Sequence, residues 1–257
     1  MYMGPVSATA LPEVLLFDLD DTLLRFTAGQ PDCWQLALEL HLPDHADHTG
    51  LLEAIRAEGS DFWAPAERAF WGRQNMHAAR RLIACAALAS RGVSLAICHR
   101  IADEMTDRKE ALVRPFDGAL ETLATLRERG HRLGLLTNGS AEFQRRKLQR
   151  YALEPLFELV LIEGELGYGK PDPRVFERAL RFFGVRPSET CMIGDNLEAD
   201  IGGAQAAGIP TVWHDAHGVG LPRAPLVRPD RVIRHLSELL VAEPPARDFT
   251  APAPVVG

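Results

Sequence analysis

Val14-Leu15-Leu16-Phe17-Asp18-Leu19-Asp20-Asp21-Thr22-Leu23 sets four consecutive apolar residues against three carboxylates. A short apolar run bounded by polar residues reads as a buried strand, so the acids fall where that strand ends. Folding alone gives no reason to crowd them there. Two like charges about 4 Å apart repel by about 4 kcal/mol at an effective dielectric of about 20. A cation or a reaction accounts for such a cluster. Asp18 and Asp20, two apart in extended backbone, point the same way; one carboxylate can attack as a nucleophile while the other moves a proton. Asp21 points elsewhere and reads as a turn residue.

The same pattern recurs downstream. Leu133-Gly134-Leu135-Leu136 runs into Thr137, and Cys191-Met192-Ile193-Gly194 runs into Asp195. Strands expected over 132–136, 158–162, 190–193, 210–213 and 231–233 alternate with helices expected over 118–129, 141–151, 173–183 and 197–207. Alternation of this kind predicts an α/β fold, a Rossmann-like parallel sheet with helices on both faces. Ligands bind such sheets beyond the carboxyl ends of the strands, so Asp18, Thr137 and Asp195 are expected to converge. Residues 26–113 differ. They are rich in Ala, Leu, Arg and Glu and predict a small α-helical domain, with one long helix over 66–89 whose Phe70, Ala78, Leu82 and Cys85 share an apolar face. The expected division is an α/β core of 12–25 and 114–241, a helical domain of 26–113, and a mobile tail of 242–257.

Around the strand ends lie further polar groups. Asp195 can complete an oxygen-rich site with Asp18, and Mg²⁺ binds with few carboxylates, retained waters and substrate phosphate. Gly194 lets the backbone turn closely beside it. Asp200 either supports the metal end or stabilises a helix N-terminus. Thr137-Asn138-Gly139-Ser140 offers hydroxyl, amide and N–H donors ahead of a helix, a setting that suits an anion and equally a plain cap. Lys170, held in Gly167-Tyr168-Gly169-Lys170-Pro171-Asp172-Pro173, places a cation among the acids. The chain has only three lysines; Lys109 and Lys147 read as solvated surface charges. Phe26, Trp34, Phe62, Trp63 and Trp71 could line a cavity but read mainly as core of the helical domain. Arg73 and His77, four apart, could share a helix face.

Bulk properties bound the partners. Net charge is −7 with no basic block, which argues against nucleic acid. No segment has the apolar length to span a bilayer, and residues 1–12 lack the pattern of a signal peptide. Four cysteines without metal or disulfide spacing read as reduced thiols. A cytoplasmic protein is expected.

Four motifs in order, Asp18-Leu19-Asp20-Asp21-Thr22, Thr137-Asn138-Gly139, Lys170-Pro171 and Gly194-Asp195 with Asp200, give a chain that resembles the haloacid dehalogenase-like hydrolase superfamily. The interruption after the first motif resembles the α-helical cap of one large subgroup. The resemblance implies a Mg²⁺-dependent phosphatase acting on a small phosphorylated metabolite through an aspartyl-phosphate. Asp18 would be the nucleophile and Asp20 the acid and base. Asp18, Asp195 and the Asp20 main-chain carbonyl would hold Mg²⁺; Thr137, Asn138 and Lys170 would bind the phosphoryl group; Asp200, Thr22 and Gly194 would support them. The acid at position 20 favours phosphate chemistry, because the dehalogenases of this superfamily lack it. A phosphomutase would use the same residues; a dehalogenase or an idle binding protein fits them less well.

Overall fold

The computed structural model describes residues 11–26 and 32–241. The first apolar run forms β1 (Val14–Phe17), every residue of it 0 % exposed. The chain then passes through β2 (Leu24–Arg25) into five helices: α1 (Cys33–His41), α2 (His48–Trp63), α3 (Ala66–Gln74), α4 (Met76–Leu88) and α5 (Leu95–Leu112). It returns along β3 (Arg114–Pro115), which pairs antiparallel with β2. This two-stranded ribbon is where the helical segment leaves and rejoins the sheet.

Beyond it follow α6 (Ala119–Glu128), β4 (Arg132–Thr137), α7 (Ala141–Arg150), β5 (Leu159–Ile162), the short α8 (Glu163–Leu166), α9 (Pro173–Phe183) and β6 (Thr190–Gly194). A π-helical turn over Leu197–Gly202 leads into α10 (Gly203–Ala206), then β7 (Thr211–His214) and β8 (Arg231–Ile233). The sheet is six-stranded and parallel, in the order β5-β4-β1-β6-β7-β8. Strand order reverses between β1 and β6, and such a reversal opens a crevice at the carboxyl ends of the strands.

Burial on both faces explains why β1 is apolar without alternation. Leu15 and Phe17 join the cluster containing Leu123 and Leu126 of α6 and Leu148 of α7. Val14 and Leu16 face the opposite layer with Phe176 and Ala179 of α9 and Ala204 of α10. Helices α1–α5 bury a third cluster of their own, including Leu38, Leu51, Ile55, Ile83, Leu88 and Ile101.

Two expectations need correction. The helix expected over 66–89 is broken at Asn75, whose amide donates to the Trp71 carbonyl at 2.9 Å; asparagine side chains compete in this way with helical hydrogen bonding. The break rotates the apolar face: Leu82 is exposed, while Ala79, Ile83, Ala84, Ala87 and Leu88 are buried. The helix expected over 197–207 begins instead as the π turn. The stretch 242–257, read as a tail, lies outside the described residues. Among the described residues no helix is long and apolar enough to cross a membrane.

Candidate active site

Asp18 directly follows β1, its N–H donating to the Ile193 carbonyl of β6 at 3.0 Å. That bond sets its carboxylate at the crevice between the two strands. Asp195 follows β6, and Trp213 Nε1 fixes its carbonyl at 2.6 Å. Asp200 reaches the same point from the π turn, its Oδ2 accepting from the Asn196 N–H at 3.0 Å. Here the wider turn has a purpose, since it carries one more acid to the strand ends. Ligand atoms of Asp18, Asp195 and Asp200 all lie within 4.8 Å of one another. Gly194 makes room for this: a Cβ there would stand 2.3 Å from Asp200 Oδ2.

Lys170 enters from the opposite side. Its buried Nζ lies 2.6 Å from Asp18 Oδ1 and 2.6 Å from Asp200 Oδ1. The Asn138 side chain holds it there, Nδ2 donating to the Lys170 carbonyl at 2.7 Å and Oδ1 accepting its N–H at 2.8 Å. The Asn138 amide, expected on a phosphoryl group, also seats the lysine. Thr137 is buried beside it, its hydroxyl accepting from Gln144 Nε2 at 2.6 Å. Thr22 contacts Asp195 Oδ1 at 3.4 Å. Asp21 takes a left-handed conformation, φ 61°, and its carboxylate accepts the Phe26 N–H at 3.0 Å, as a turn residue should.

One cation does not balance this many acids. Burial pushes the Asp18 carboxyl up to about 7, and Asp200 and Asp20 add to the rise while Lys170 opposes it. Burial likewise pushes Asp195 up to about 9, reinforced by Asp18, Asp200 and Asp21. Burial also works against the charge on Lys170, but Asp18 and Asp200 override it and hold the ammonium above its ordinary value. Asp18 Oδ2 is buried with no hydrogen-bond partner. An orphaned carboxylate oxygen beside two further acids is a donor set that suits a hard divalent cation.

Asp20 turns the other way. Its carboxylate lies 2.8 and 2.9 Å from Lys147 Nζ and accepts from Gln144 Nε2 at 2.9 Å. It is not one of the three acids whose ligand atoms converge. Lys147, expected on the surface, is buried, and its Nζ also sits 4.2 Å from the centre of the Phe26 ring. Lys109, also expected at the surface, lies 4.4 Å from the same ring. The helix face of Arg145-Arg146-Lys147 reads as basic and solvated because its neighbours are. What could have singled Lys147 out is the scarcity of lysine: Arg fills the other basic positions, and the three lysines all stand at or beside this site.

A cavity of about 470 Å³ opens between the sheet and helices α1–α5. Asp20, Asn138, Gln144 and Lys147 line its floor; Trp34, Trp63, Arg73 and Arg80 are among the residues of its roof. Phe62 and Trp71 lie elsewhere. Arg73 and His77 sit on different helices. Arg73 makes a bidentate pair with buried Glu163, at 2.9 and 2.6 Å, and ties the helical segment to the sheet; His77 lies 3.4 Å from Asp103.

Known proteins share this architecture. The structure of the HAD-hydrolase YfnB from Bacillus subtilis, bound to magnesium, is similar with a TM-score of 0.65 at 26 % identity, covering 89 % of this chain and 97 % of that one. A 2-haloacid dehalogenase from Pseudomonas syringae is similar with a TM-score of 0.59 at 30 % identity, covering 90 % and 98 %. In sequence, a phosphoserine phosphatase from Thermus thermophilus is 49 % identical over 122 residues, 47 % of this chain and about half, 48 %, of that protein. A glyceraldehyde 3-phosphate phosphatase from Pyrococcus abyssi is 34 % identical over 207 residues, 78 % of this chain and 80 % of the other. The family model for haloacid dehalogenase-like hydrolases matches residues 12–208. With that match added to the sheet order and the acids at its strand ends, the chain belongs to the haloacid dehalogenase-like hydrolases.

Proposed function

We propose that this protein is a Mg²⁺-dependent phosphatase that hydrolyses a small phosphomonoester through an aspartyl-phosphate on Asp18. The observation that carries the reading is the unpartnered, buried Oδ2 of Asp18, held at the crevice with Lys170 on its other oxygen. It is supported by relatives named as phosphatases. Residues 26–113 act as a cap over a core of 12–25 and 114–241, so that substrate is enclosed between them.

In this reading the Asp18 carboxylate attacks phosphorus and the bond to the ester oxygen breaks. Asp20 gives its proton to that oxygen, and the alcohol leaves. Asp20, now ionised, takes a proton from water as the water attacks the aspartyl-phosphate, which frees Asp18 and releases phosphate. Lys147 and Gln144 aim the Asp20 carboxyl. Lys170 and Thr137 face the transferring phosphoryl group, and Asn138 seats Lys170. Asp18, Asp195 and the Asp20 main-chain carbonyl hold the Mg²⁺, with Asp200 beside them. Bound there, Mg²⁺ supplies positive charge against the phosphoryl oxygens. Fixed charges of this kind dominate catalysis of phosphoryl transfer.

The test uses leaving groups. Asp20→Asn lowers kcat/KM, which reports departure of the leaving group, by about 10²- to 10⁴-fold on alkyl phosphates, and by much less on p-nitrophenyl phosphate, whose leaving group departs unprotonated. Equal losses on both esters contradict the role of Asp20. Removal of divalent metal by EDTA abolishes turnover and added Mg²⁺ restores it; full activity in EDTA contradicts the metal. Release of chloride from 2-chloropropionate with no activity on any phosphate ester assigns the chain to dehalogenation instead.

A further inference from the structure

Five cations line the cavity beneath the helical segment: Arg56, Arg73, Arg80, Lys109 and Lys147. Three are matched by carboxylates, Arg56 by Asp32, Arg73 by Glu163 and Lys147 by Asp20. Lys109 packs over Phe26. Arg80 has no such match. It is 5 % exposed, it makes no ion pair or hydrogen bond among the described residues, and its Nη1 is buried without a partner. Burial pulls its ionisation down to about 10, with Glu110 partly offsetting this. Glu110 lines the same cavity but forms no ion pair with Arg80.

A largely buried guanidinium left without a counter-ion destabilises the fold that holds it. Its neighbours on the same face of α4 are Ala79, Ile83, Ala84 and Ala87, all buried and apolar. An apolar side chain at position 80 would continue that face. The arginine is explained if an anion arrives in the cavity, since its planar fork of donors suits carboxylate and phosphate. The phosphoryl group transferred by Asp18 is not that anion. Asp18 and Lys170 are absent from the cavity lining, whereas Arg80 stands in the roof on α4. Trp34, Ile83 and Met105 add apolar surface to the lining. The volume, about 470 Å³, is far more than a phosphate alone needs.

We propose that Arg80 recognises a second anionic group on the substrate, a carboxylate or a second phosphoryl, at the end remote from the bond that is cleaved. The substrate class is then an organic phosphate with a charged group at each end and a spacer between them. The proposal rests on the phosphatase reading, and it is tested by binding, which does not require turnover. Three non-hydrolysable phosphonates of one chain length are titrated by calorimetry in Mg²⁺ buffer: one ending in carboxylate, one in a second phosphonate, one in methyl. The wild-type protein binds one or both doubly charged compounds about 10- to 100-fold more tightly than the methyl compound. Which of the two gains identifies the anion. Arg80→Met erases the preference, and Arg80→Lys keeps part of it. The thermal midpoint of ligand-free Arg80→Met holds or rises, because an unmatched charge has been removed. Equal binding of all three compounds by the wild type overturns the proposal. So does a preference that survives in Arg80→Met, or a midpoint that falls in that variant, which marks Arg80 as structural. If the phosphonates discriminate as expected while no phosphate ester is hydrolysed, the anion site stands and the phosphatase reading fails.

Discussion

Asp18→Asn lowers kcat for phosphomonoester hydrolysis by about 10⁴-fold or more, with the protein still folded. The substitution keeps the shape of the side chain and, on the proposed mechanism, removes the attacking carboxylate. Oδ2 of Asp18 is the buried oxygen without a partner, while Oδ1 is engaged by Lys170. An amide at this position accepts from Lys170 through its oxygen and has no nucleophilic lone pair to offer phosphorus. Stability should change little, because Lys170 keeps its second carboxylate, Asp200 at 2.6 Å. Activity is measured on a generic aryl phosphate and on alkyl phosphates, and folding by thermal denaturation. Activity within tenfold of wild type places the nucleophile elsewhere.

Lys170→Met acts on both activity and stability. It removes the cation that sits between Asp18 and Asp200, both buried. Breaking a buried ion pair from one side costs about 3–5 kcal/mol, which for a chain of this size lowers the thermal midpoint by about 10 °C. The loss depends on pH. Lys170 opposes the burial that already raises the Asp18 carboxyl to about 7, so its removal raises that value further. An acid whose folded pKa lies above its unfolded value binds more protons in the folded state, and stability falls as pH rises between the two values. The deficit of Lys170→Met is therefore smallest near pH 4 and grows as pH rises through 7. Activity falls with it, since on the proposed function the cation also faces the phosphoryl group. Unfolding curves recorded across that range check the slope; a deficit that shrinks toward high pH contradicts the charge assignment.

Sheet and strand-end acids were legible in the sequence because local chemistry forces them. An apolar run with no alternation has to be buried on both faces, and Val14–Phe17 divides between two packed layers as that requires. Helix α9 begins at its proline and ends before Gly184, whose φ is +69°. Asp21 behaves as the turn residue its neighbours imply. Signals were missing where a residue's role depends on what folds over it. Lys147 shares a helix with Arg145 and Arg146, and nothing local separates one buried cation from two exposed ones. Only Asp20, 127 positions away, does so. Arg80 has the same difficulty, because its apolar helix face predicts core and its charge predicts surface. The break at Asn75 changes which α4 side chains are buried, Ala79, Ile83 and Ala87 rather than Leu82. On the proposed function, substrate choice depends on such contacts between distant segments and the reaction on the strand ends.

The most direct measurement traps the intermediate. Enzyme and a phosphate ester are mixed with Mg²⁺, quenched during turnover and reduced with borohydride, which converts an aspartyl-phosphate to homoserine. Peptide mass spectrometry then locates the mark. The account predicts homoserine at position 18, dependent on substrate and absent in Asp18→Asn. Steady hydrolysis with position 18 unmodified, or with the mark on another residue, contradicts it.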